Sequence, residues 1–143
     1  MSQAINLTGH CLCKAIKIEV SDVKPHMEAC HCSSCRNWGG GPLLGIDCGT
    51  HVTLTSVDDV SVFDSSDWAQ RGFCRHCGSH LFYRLKENQQ YIMPVGLFDI
   101  PEEVKVEFNC QIFSDQKPNY YEFANQTKMM TGDEVFAAFA PQE

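Results

Sequence analysis

Seven of the nine cysteines in this chain lie in three tight clusters, and cysteines at such spacings are typical metal ligands. The clusters are Cys30, Cys32 and Cys35; Cys11 and Cys13; and Cys74 and Cys77. Three neighbouring thiolates can hold a metal ion from one side, whereas a structural zinc ion normally has four protein ligands. The three-cysteine cluster is therefore a candidate metal site with one position left for chemistry.

The two cysteine pairs together supply four thiolates, the number that a closed zinc site requires. We therefore assign to a structural zinc ion the four cysteines Cys11, Cys13, Cys74 and Cys77. Gly78, directly after the last of them, allows a turn with positive φ. Spacing alone also permits Cys30 or Cys32 to join one of the pairs. Iron in a rubredoxin-like site would suit four sulfurs equally well.

The remaining three cysteines lack a fourth ligand, and water, an incoming thiol or a histidine can take that position. We predict that Cys30, Cys32 and Cys35 hold a catalytic zinc ion, because zinc at an open site polarises a carbonyl and lowers the pKa of a bound thiol or water. Two zinc ions are expected in all, the second at partial occupancy. The alternative is a site closed by a histidine: His31, His76 or His10.

Alternation of apolar and polar residues predicts β-strands along most of the chain. The predicted strands cover residues 5–8, 15–20, 27–31, 43–48, 51–55, 60–63, 80–85, 91–95, 104–108 and 110–113. Asp133 and Glu134 precede an apolar run and predict a short C-terminal helix. The sequence thus predicts a mainly β protein that forms one domain over residues 1–143.

The composition narrows the class of partner. The net charge is −7, with 18 acidic against 11 basic residues, which argues against a nucleic-acid partner. Residues 1–10 show no secretory signal pattern, and the apolar runs fall far short of the roughly 20 residues of a membrane span. We expect a cytoplasmic protein without a membrane partner, whose reduced cysteines bind metal instead of forming disulfides. The oligomeric state is left open.

Together with their flanks, these motifs resemble the glutathione-dependent formaldehyde-activating enzymes and their relative centromere protein V. The resemblance is carried by residues 9–13, 30–36, 71–79, 81–84 and 96–101. It extends over about residues 5–125, which leaves 126–143 as a C-terminal extension. The resemblance implies a β-tent fold, in which several small coiled antiparallel sheets surround the zinc sites. It also implies the same division of the seven cysteines into a structural and a catalytic set.

The activity implied by the resemblance is that of a carbon-sulfur lyase, which joins formaldehyde to glutathione as S-hydroxymethylglutathione. We therefore expect a zinc-dependent enzyme that adds a small aldehyde to a thiol or removes it. The alternative is a non-catalytic zinc scaffold that binds a thiol compound or a protein partner. An open or exchangeable ion at the three-cysteine site would favour the enzyme, and a closed site would favour the scaffold.

Glutathione carries two carboxylates, which require cationic or amide partners. Arg36, Arg71 and Gly40 are the candidate substrate-binding residues, the last as part of a run of three glycines. For each arginine, an ordinary salt bridge is an alternative role. His31 is expected to support its neighbouring ligands or to pack.

The chain departs from the family pattern at three places. Lys14 stands where glycine usually follows the first cysteine pair, Gln111 where histidine is common, and Tyr120 and Tyr121 where tryptophan is frequent. None of these positions is a predicted metal ligand, so the departures concern the surroundings of the sites. The two remaining cysteines, Cys48 and Cys110, are expected to be small buried side chains.

Overall fold

The structure is a computed structural model that describes residues 3–139. The strands are β1 (Ile5–His10), β2 (Lys17–Val23), β3 (His26–Cys30), β4 (Leu43–Gly49), β5 (Val52–Leu54), β6 (Val60–Asp64), β7 (Ala69–Cys74), β8 (His80–Leu85), β9 (Tyr91–Pro94), β10 (Phe98–Asp99), β11 (Glu107–Ile112) and β12 (Lys128–Met130). The helices are α1 (Ser33–Gly39) and α2 (Gly132–Phe139). The predicted mainly β class is confirmed.

The described chain divides into two compact units. The first unit contains residues 3–25 and Ile46–Val106, and the second contains His26–Gly45 and residues 107–139. All four cysteines of the two pairs belong to the first unit, and the three-cysteine cluster belongs to the second. Each cysteine group is therefore built within a single unit.

Antiparallel strands build the first unit. One sheet has the order β10-β1-β2-β5, and β9, β8, β7 and β6 are hydrogen-bonded neighbours in that order. The predicted alternation is visible in β2, where Ile18 and Val20 are buried while Lys17 and Glu19 are exposed. Burial of this apolar face is what fixes the register of the β1–β2 hairpin.

The core of the first unit is apolar and includes two of the clustered cysteines, Cys11 and Cys74. Phe82 is among its largest fully buried side chains and lies opposite Gly72 in the β7–β8 pair. A Cβ atom at residue 72 would overlap the Phe82 ring, so this strand position requires glycine. The core thus packs directly against the strand that ends in Cys74.

In the second unit, β11 pairs in parallel with both β3 and β12. This parallel pairing differs from the antiparallel sheets that the resemblance implied, and alternation along a strand does not identify the strand's partner. Parallel partners require a long connection, and β3 and β11 are far apart in the chain. The pairing places Gln111 between Ala29 on β3 and Met129 on β12, so a residue of β11 enters the neighbourhood of Cys30.

The predicted C-terminal helix is confirmed as α2, and its start is fixed by reciprocal capping. The backbone N–H of Glu134 donates to Thr131 Oγ1 (3.2 Å), and the backbone N–H of Thr131 donates to Glu134 Oε1 (3.0 Å). Residues 140–143 of the predicted extension lie outside the described residues.

Candidate functional site

The four cysteines predicted to hold structural zinc lie together, and their sulfur atoms are all within 4.8 Å of one another. The Sγ atoms of Cys11 and Cys13 are 3.6 Å apart, and those of Cys13 and Cys74 are 3.8 Å apart. Tetrahedral Zn–S bonds of about 2.3 Å place their sulfurs about 3.8 Å from one another. The four residues present therefore fit a tetrahedral metal ion.

Cys11 and Cys13 are presented by the turn between β1 and β2. The backbone N–H of Lys14 donates to the carbonyl oxygen of Cys11 (3.0 Å), and Lys14 has a left-handed φ of 64°. A side chain is strained in this conformation and glycine is not. The left-handed φ at this position therefore explains why glycine is usual there in the resembled family. The backbone N–H of Ile16 also donates a hydrogen bond to Cys11 Sγ (3.4 Å), which fixes the position of this sulfur.

Cys74 and Cys77 lie at either end of a tight turn after β7. Gly78 has a φ of 76°, as its position predicted, and its N–H donates to the carbonyl oxygen of Cys74 (2.8 Å). Ser79 Oγ accepts a hydrogen bond from the N–H of Leu12 (3.0 Å), which ties this turn to the one that carries the first pair. The Ser79 hydroxyl, 3.2 Å from the Cys77 sulfur, lowers the pKa of that thiol to about 5.

The three-cysteine cluster is built by the junction of β3 and α1. Cys30 ends β3, Cys32 is the N-cap of α1, and Cys35 lies in the first turn of the helix. The Cys32 sulfur accepts a hydrogen bond from the backbone N–H of Cys35 (3.4 Å), as a capping side chain does. All three sulfurs lie within 4.8 Å of one another. The junction therefore places three sulfur ligands close enough together to bind one metal ion.

The electrostatics of this cluster favour a bound cation. The side chains of Cys32 and Cys35 raise the pKa of Cys30, which is also raised by burial. Three adjacent thiolates repel one another, and a divalent metal ion removes that repulsion. In the described part of the second unit, no histidine or carboxylate joins the three sulfurs. The donor set fits zinc with a position left over.

His31 lies between two of the predicted ligands and is fully buried. Its Nδ1 is 2.7 Å from the hydroxyl of Tyr121, and its Nε2 is 2.8 Å from Oε1 of Gln111. Burial lowers the pKa of His31, which keeps the ring neutral. Because both ring nitrogens are engaged, the geometry argues against closure of the site by His31. The role of His31 toward its neighbouring ligands stays a prediction.

The other two candidate fourth ligands, His10 and His76, belong to the first unit. His10 Nδ1 lies 2.8 Å from the carbonyl oxygen of Cys11, and His76 Nε2 lies 2.7 Å from Oδ1 of Asp59. Neither is among the groups of potential metal ligands found in residues 3–139.

Four further contacts around His31 were not predicted from the sequence. Gln111 Nε2 donates to Thr127 Oγ1 (3.1 Å), and Lys117 Nζ donates to the carbonyl oxygen of Tyr121 (2.7 Å). The backbone N–H of His31 donates to the carbonyl oxygen of Ile112 (3.1 Å). The rings of His31 and Tyr121 are stacked, with centroids 5.5 Å apart. The only sequence signal for these partners was that Gln111 and Tyr121 depart from the family pattern.

The three candidate substrate-binding residues lie in different structural settings. Arg36 Nε donates to the carbonyl oxygen of His31 (2.9 Å), so the arginine braces the backbone between Cys30 and Cys32. Gly40 is the C-cap of α1, with a φ of 86°. Arg71 belongs to the first unit, where it is buried with its guanidinium 5.1 Å from the centre of the Tyr83 ring. Their roles toward a substrate stay predictions.

Cys48 and Cys110 are buried and belong to neither group of potential ligands, as expected. Burial raises the pKa of the Cys48 thiol to about 12 and also raises that of Cys110. Both therefore remain protonated at neutral pH and act as small core side chains.

Comparison with known proteins decides the family. The profile of the family described as "glutathione-dependent formaldehyde-activating enzyme" matches residues 6–116 of the chain. The chain belongs to this family. The matched range includes all seven clustered cysteines, so both groups seen in the structure lie within it.

Individual relatives in the family differ in how much of the chain they cover. An uncharacterized lyase of Schizosaccharomyces pombe is 35% identical over 128 residues, which are 89% of this chain and 92% of the relative. A putative glutathione-dependent formaldehyde-activating enzyme of Talaromyces marneffei is 34% identical over 88 residues, which are 57% of this chain and 46% of the relative. The chain thus matches the first relative along nearly its whole length and the second along less than half.

Among solved structures, a crystal structure of a Rhodobacter sphaeroides protein aligns with a TM-score of 0.52 at 23% identity. The alignment covers 68% of this chain and 90% of that protein. At this identity the similarity concerns the fold alone. Within residues 3–139, no helix has the length and apolar character needed to cross a membrane.

Proposed function

We propose that the chain is a zinc-dependent carbon-sulfur lyase that adds a small aldehyde such as formaldehyde to a thiol such as glutathione, or removes it. The observation that carries the proposal is the group of three sulfurs together with the engagement of His31, which lies between Cys30 and Cys32 in the sequence, by two other side chains. The family match and the lyase name of a relative support the same reaction class.

Seven cysteines would hold the two ions. Cys30, Cys32 and Cys35 would bind the catalytic zinc, and Cys11, Cys13, Cys74 and Cys77 the structural one. Bound at the three-cysteine site, zinc would supply Lewis-acid chemistry and lower the pKa of a thiol. The chain's own contribution is to fix three sulfurs at the junction of β3 and α1 and to leave His31 uncoordinated.

The reaction forms one bond and moves one proton. The thiol sulfur bonds to the aldehyde carbon, and the carbonyl oxygen becomes a hydroxyl group that carries the proton released by the thiol. The reverse reaction breaks the carbon-sulfur bond and returns the aldehyde and the thiol. Arg36 is the best supported partner for a substrate carboxylate, because it follows the cluster directly in the sequence and a guanidinium group pairs well with a carboxylate. The reducing cytoplasm is the compartment that suits seven reduced cysteines acting as metal ligands.

The test is exchange NMR of formaldehyde with glutathione and with other thiols. Wild-type protein is expected to accelerate exchange, and Cys32→Ala is expected to abolish the acceleration while the four-cysteine site keeps its zinc. Cys110→Ala is the matched control, because it removes a buried cysteine of the same unit that belongs to neither group. The proposal would be refuted if the wild type did not accelerate exchange between formaldehyde and any of the thiols, or if Cys32→Ala accelerated exchange as much as the wild type. Tight zinc at both sites without acceleration would favour the scaffold.

A further inference from the structure

We propose that Gln116 is a positioning residue of the three-cysteine site, because its side-chain oxygen holds the stretch of backbone that carries Cys32. This inference rests on the part of the proposed function that places a metal ion at the three cysteines. It adds that one of the three sulfurs is kept in place by a residue that lies 83 positions beyond Ser33 in the chain.

Among the three cysteines, Cys32 lies between two elements of secondary structure. Cys30 is the last residue of β3, where the pairing with Ile112 of β11 holds it, and Cys35 lies within α1. Cys32 precedes the first helical residue, Ser33, and the first N–H groups of a helix have no partner within the helix backbone. The position of the Cys32 sulfur therefore depends on contacts that other segments make with the backbone around it.

Gln116 makes such a contact on one side of Cys32. The backbone N–H of Ser33 donates to Gln116 Oε1 (2.9 Å). A backbone N–H only donates, so the side-chain oxygen of Gln116 and not its nitrogen faces Ser33. On the other side of Cys32, the backbone N–H of His31 donates to the carbonyl oxygen of Ile112 (3.1 Å). Cys32 is therefore flanked by two hydrogen bonds to the same short segment.

The turn that carries Gln116 begins with a strained residue. Phe113 directly follows β11 and has a left-handed φ of 54°, which is rare and costly for a bulky side chain. The backbone N–H of Gln116 donates to the carbonyl oxygen of Phe113 (3.0 Å), which closes a tight turn, and from its end the Gln116 side chain reaches Ser33. A strained conformation of this kind persists only where the surrounding structure holds it.

Helix α2 holds this turn in place. The ring of Phe113 packs edge to face against that of Phe136, with centroids 5.6 Å apart. Asp115 Oδ1 accepts a hydrogen bond from the backbone N–H of Gly132 (2.8 Å), at the start of the helix. A Cβ atom at residue 132 would lie 3.0 Å from the Phe113 ring, so the start of the helix lies directly against the turn. The turn is therefore fixed by α2, and its side chain Gln116 fixes the backbone next to Cys32.

The experiment titrates cobalt into the three-cysteine site while zinc occupies the four-cysteine site. The thiolate-to-cobalt charge-transfer band reports binding, and Cys32→Ala identifies the part of the band that belongs to this site. Gln116→Met has a side chain of similar length without an oxygen and is expected to bind cobalt about 2- to 10-fold more weakly, the range of one hydrogen bond. Gln116→Glu keeps an accepting oxygen and is expected to restore the wild-type affinity. Gln126→Met, at an exposed glutamine of the same unit, is the matched control and is expected to keep that affinity.

Each outcome decides the inference. A merely structural role of Gln116 would lower the urea midpoint of Gln116→Met and leave its cobalt affinity unchanged, which would overturn the inference. Equal weakening in Gln116→Glu would overturn it as well, because that variant keeps the accepting oxygen. Absence of cobalt binding in the wild type would overturn both this inference and the metal site of the proposed function. Failure of the exchange NMR test together with the expected order of affinities would refute the lyase activity and leave this inference standing.

A second measurement concerns the hydrogen bond itself. Amide hydrogen exchange at Ser33 is followed by NMR on protein prepared with zinc at the four-cysteine site only. The Ser33 amide is expected to exchange slowly in the wild type and in Gln116→Glu, and faster in Gln116→Met. Equal exchange rates in the three proteins would overturn the inference.

Discussion

Replacing Cys74 by alanine should unfold the first unit, whereas the same change at Cys48 should be mild. The two residues form a matched pair, because both belong to the core of that unit and are buried, with 0% and 3% of their surface exposed. They differ in their sulfur contacts. Cys74 Sγ lies 3.8 Å from Cys13 Sγ, in the four-cysteine group, and Cys48 Sγ donates to the carbonyl oxygen of Ile46 (3.5 Å).

The magnitudes separate the two variants clearly. Structural zinc sites of small domains contribute about 10–16 kcal/mol of binding free energy, while whole domains are stable by only about 5–15 kcal/mol. Loss of the zinc ion would therefore remove a free energy comparable to the total stability, and removal of one of its four thiolates weakens its binding. Cys48→Ala loses one buried sulfur atom and should cost roughly 1 kcal/mol.

The assay is urea unfolding followed by circular dichroism, with zinc content measured on the same samples. Cys48→Ala should unfold cooperatively near the wild-type midpoint and retain its zinc. Cys74→Ala should be unfolded, insoluble or depleted of one zinc ion per chain. A soluble Cys74→Ala protein with zinc content and midpoint equal to those of Cys48→Ala would refute the structural assignment of the four-cysteine site.

Two further predictions concern the core and the C-terminal helix. Gly72→Ala should lower the free energy of unfolding by about 1–3 kcal/mol in the same urea assay, because the new methyl group overlaps the Phe82 ring. The control Gly96→Ala has open space at its Cβ position and should stay within about 0.5 kcal/mol of the wild type. Hydrogen bonds from Thr131 lower the pKa of Glu134 below its ordinary 4.5. The ionised carboxylate of Glu134 therefore stabilises α2 fully above pH 4.5, and this stabilisation is lost as the pH falls through the lowered pKa. Carbon chemical shifts of α2 should follow this titration, and an equal pH response in Glu134→Gln would contradict it.

Most of what the sequence predicted about the metal sites came from the short spacings between cysteines. Ligands two or three residues apart, as in Cys11 with Cys13 or Cys74 with Cys77, converge through local turns, and Gly78 marks one of these turns by its positive φ. Spacing left the pairing of the clusters open, and the structure brings together the groups of four and three cysteines that we assigned. Strands such as β2 were predictable for a similar reason, since one buried face imposes alternation on consecutive residues.

The sequence pattern did not indicate helix α1, strand β7 or the parallel pairing of β11. Helix α1 has only seven residues and ends in glycine, so it is too short to show an apolar repeat in the sequence. The sulfur of Cys32 caps its first turn. Strand β7 contains Gly72, which disfavours a strand in the sequence and is required by the ring of Phe82 across the sheet. The parallel partners of β11 are likewise set by contacts between segments that are remote in the chain.

The sequence by itself determined the donor chemistry: seven cysteines in three local clusters, one with three members and two with two members. Only the tertiary structure decided what surrounds the three-cysteine cluster, because the partners of His31 lie 80 and 90 residues away in the chain. A buried imidazole must satisfy both ring nitrogens, and which groups do so depends on the segments that burial brings together. Here they are Gln111 and Tyr121, which engage both ring nitrogens of His31.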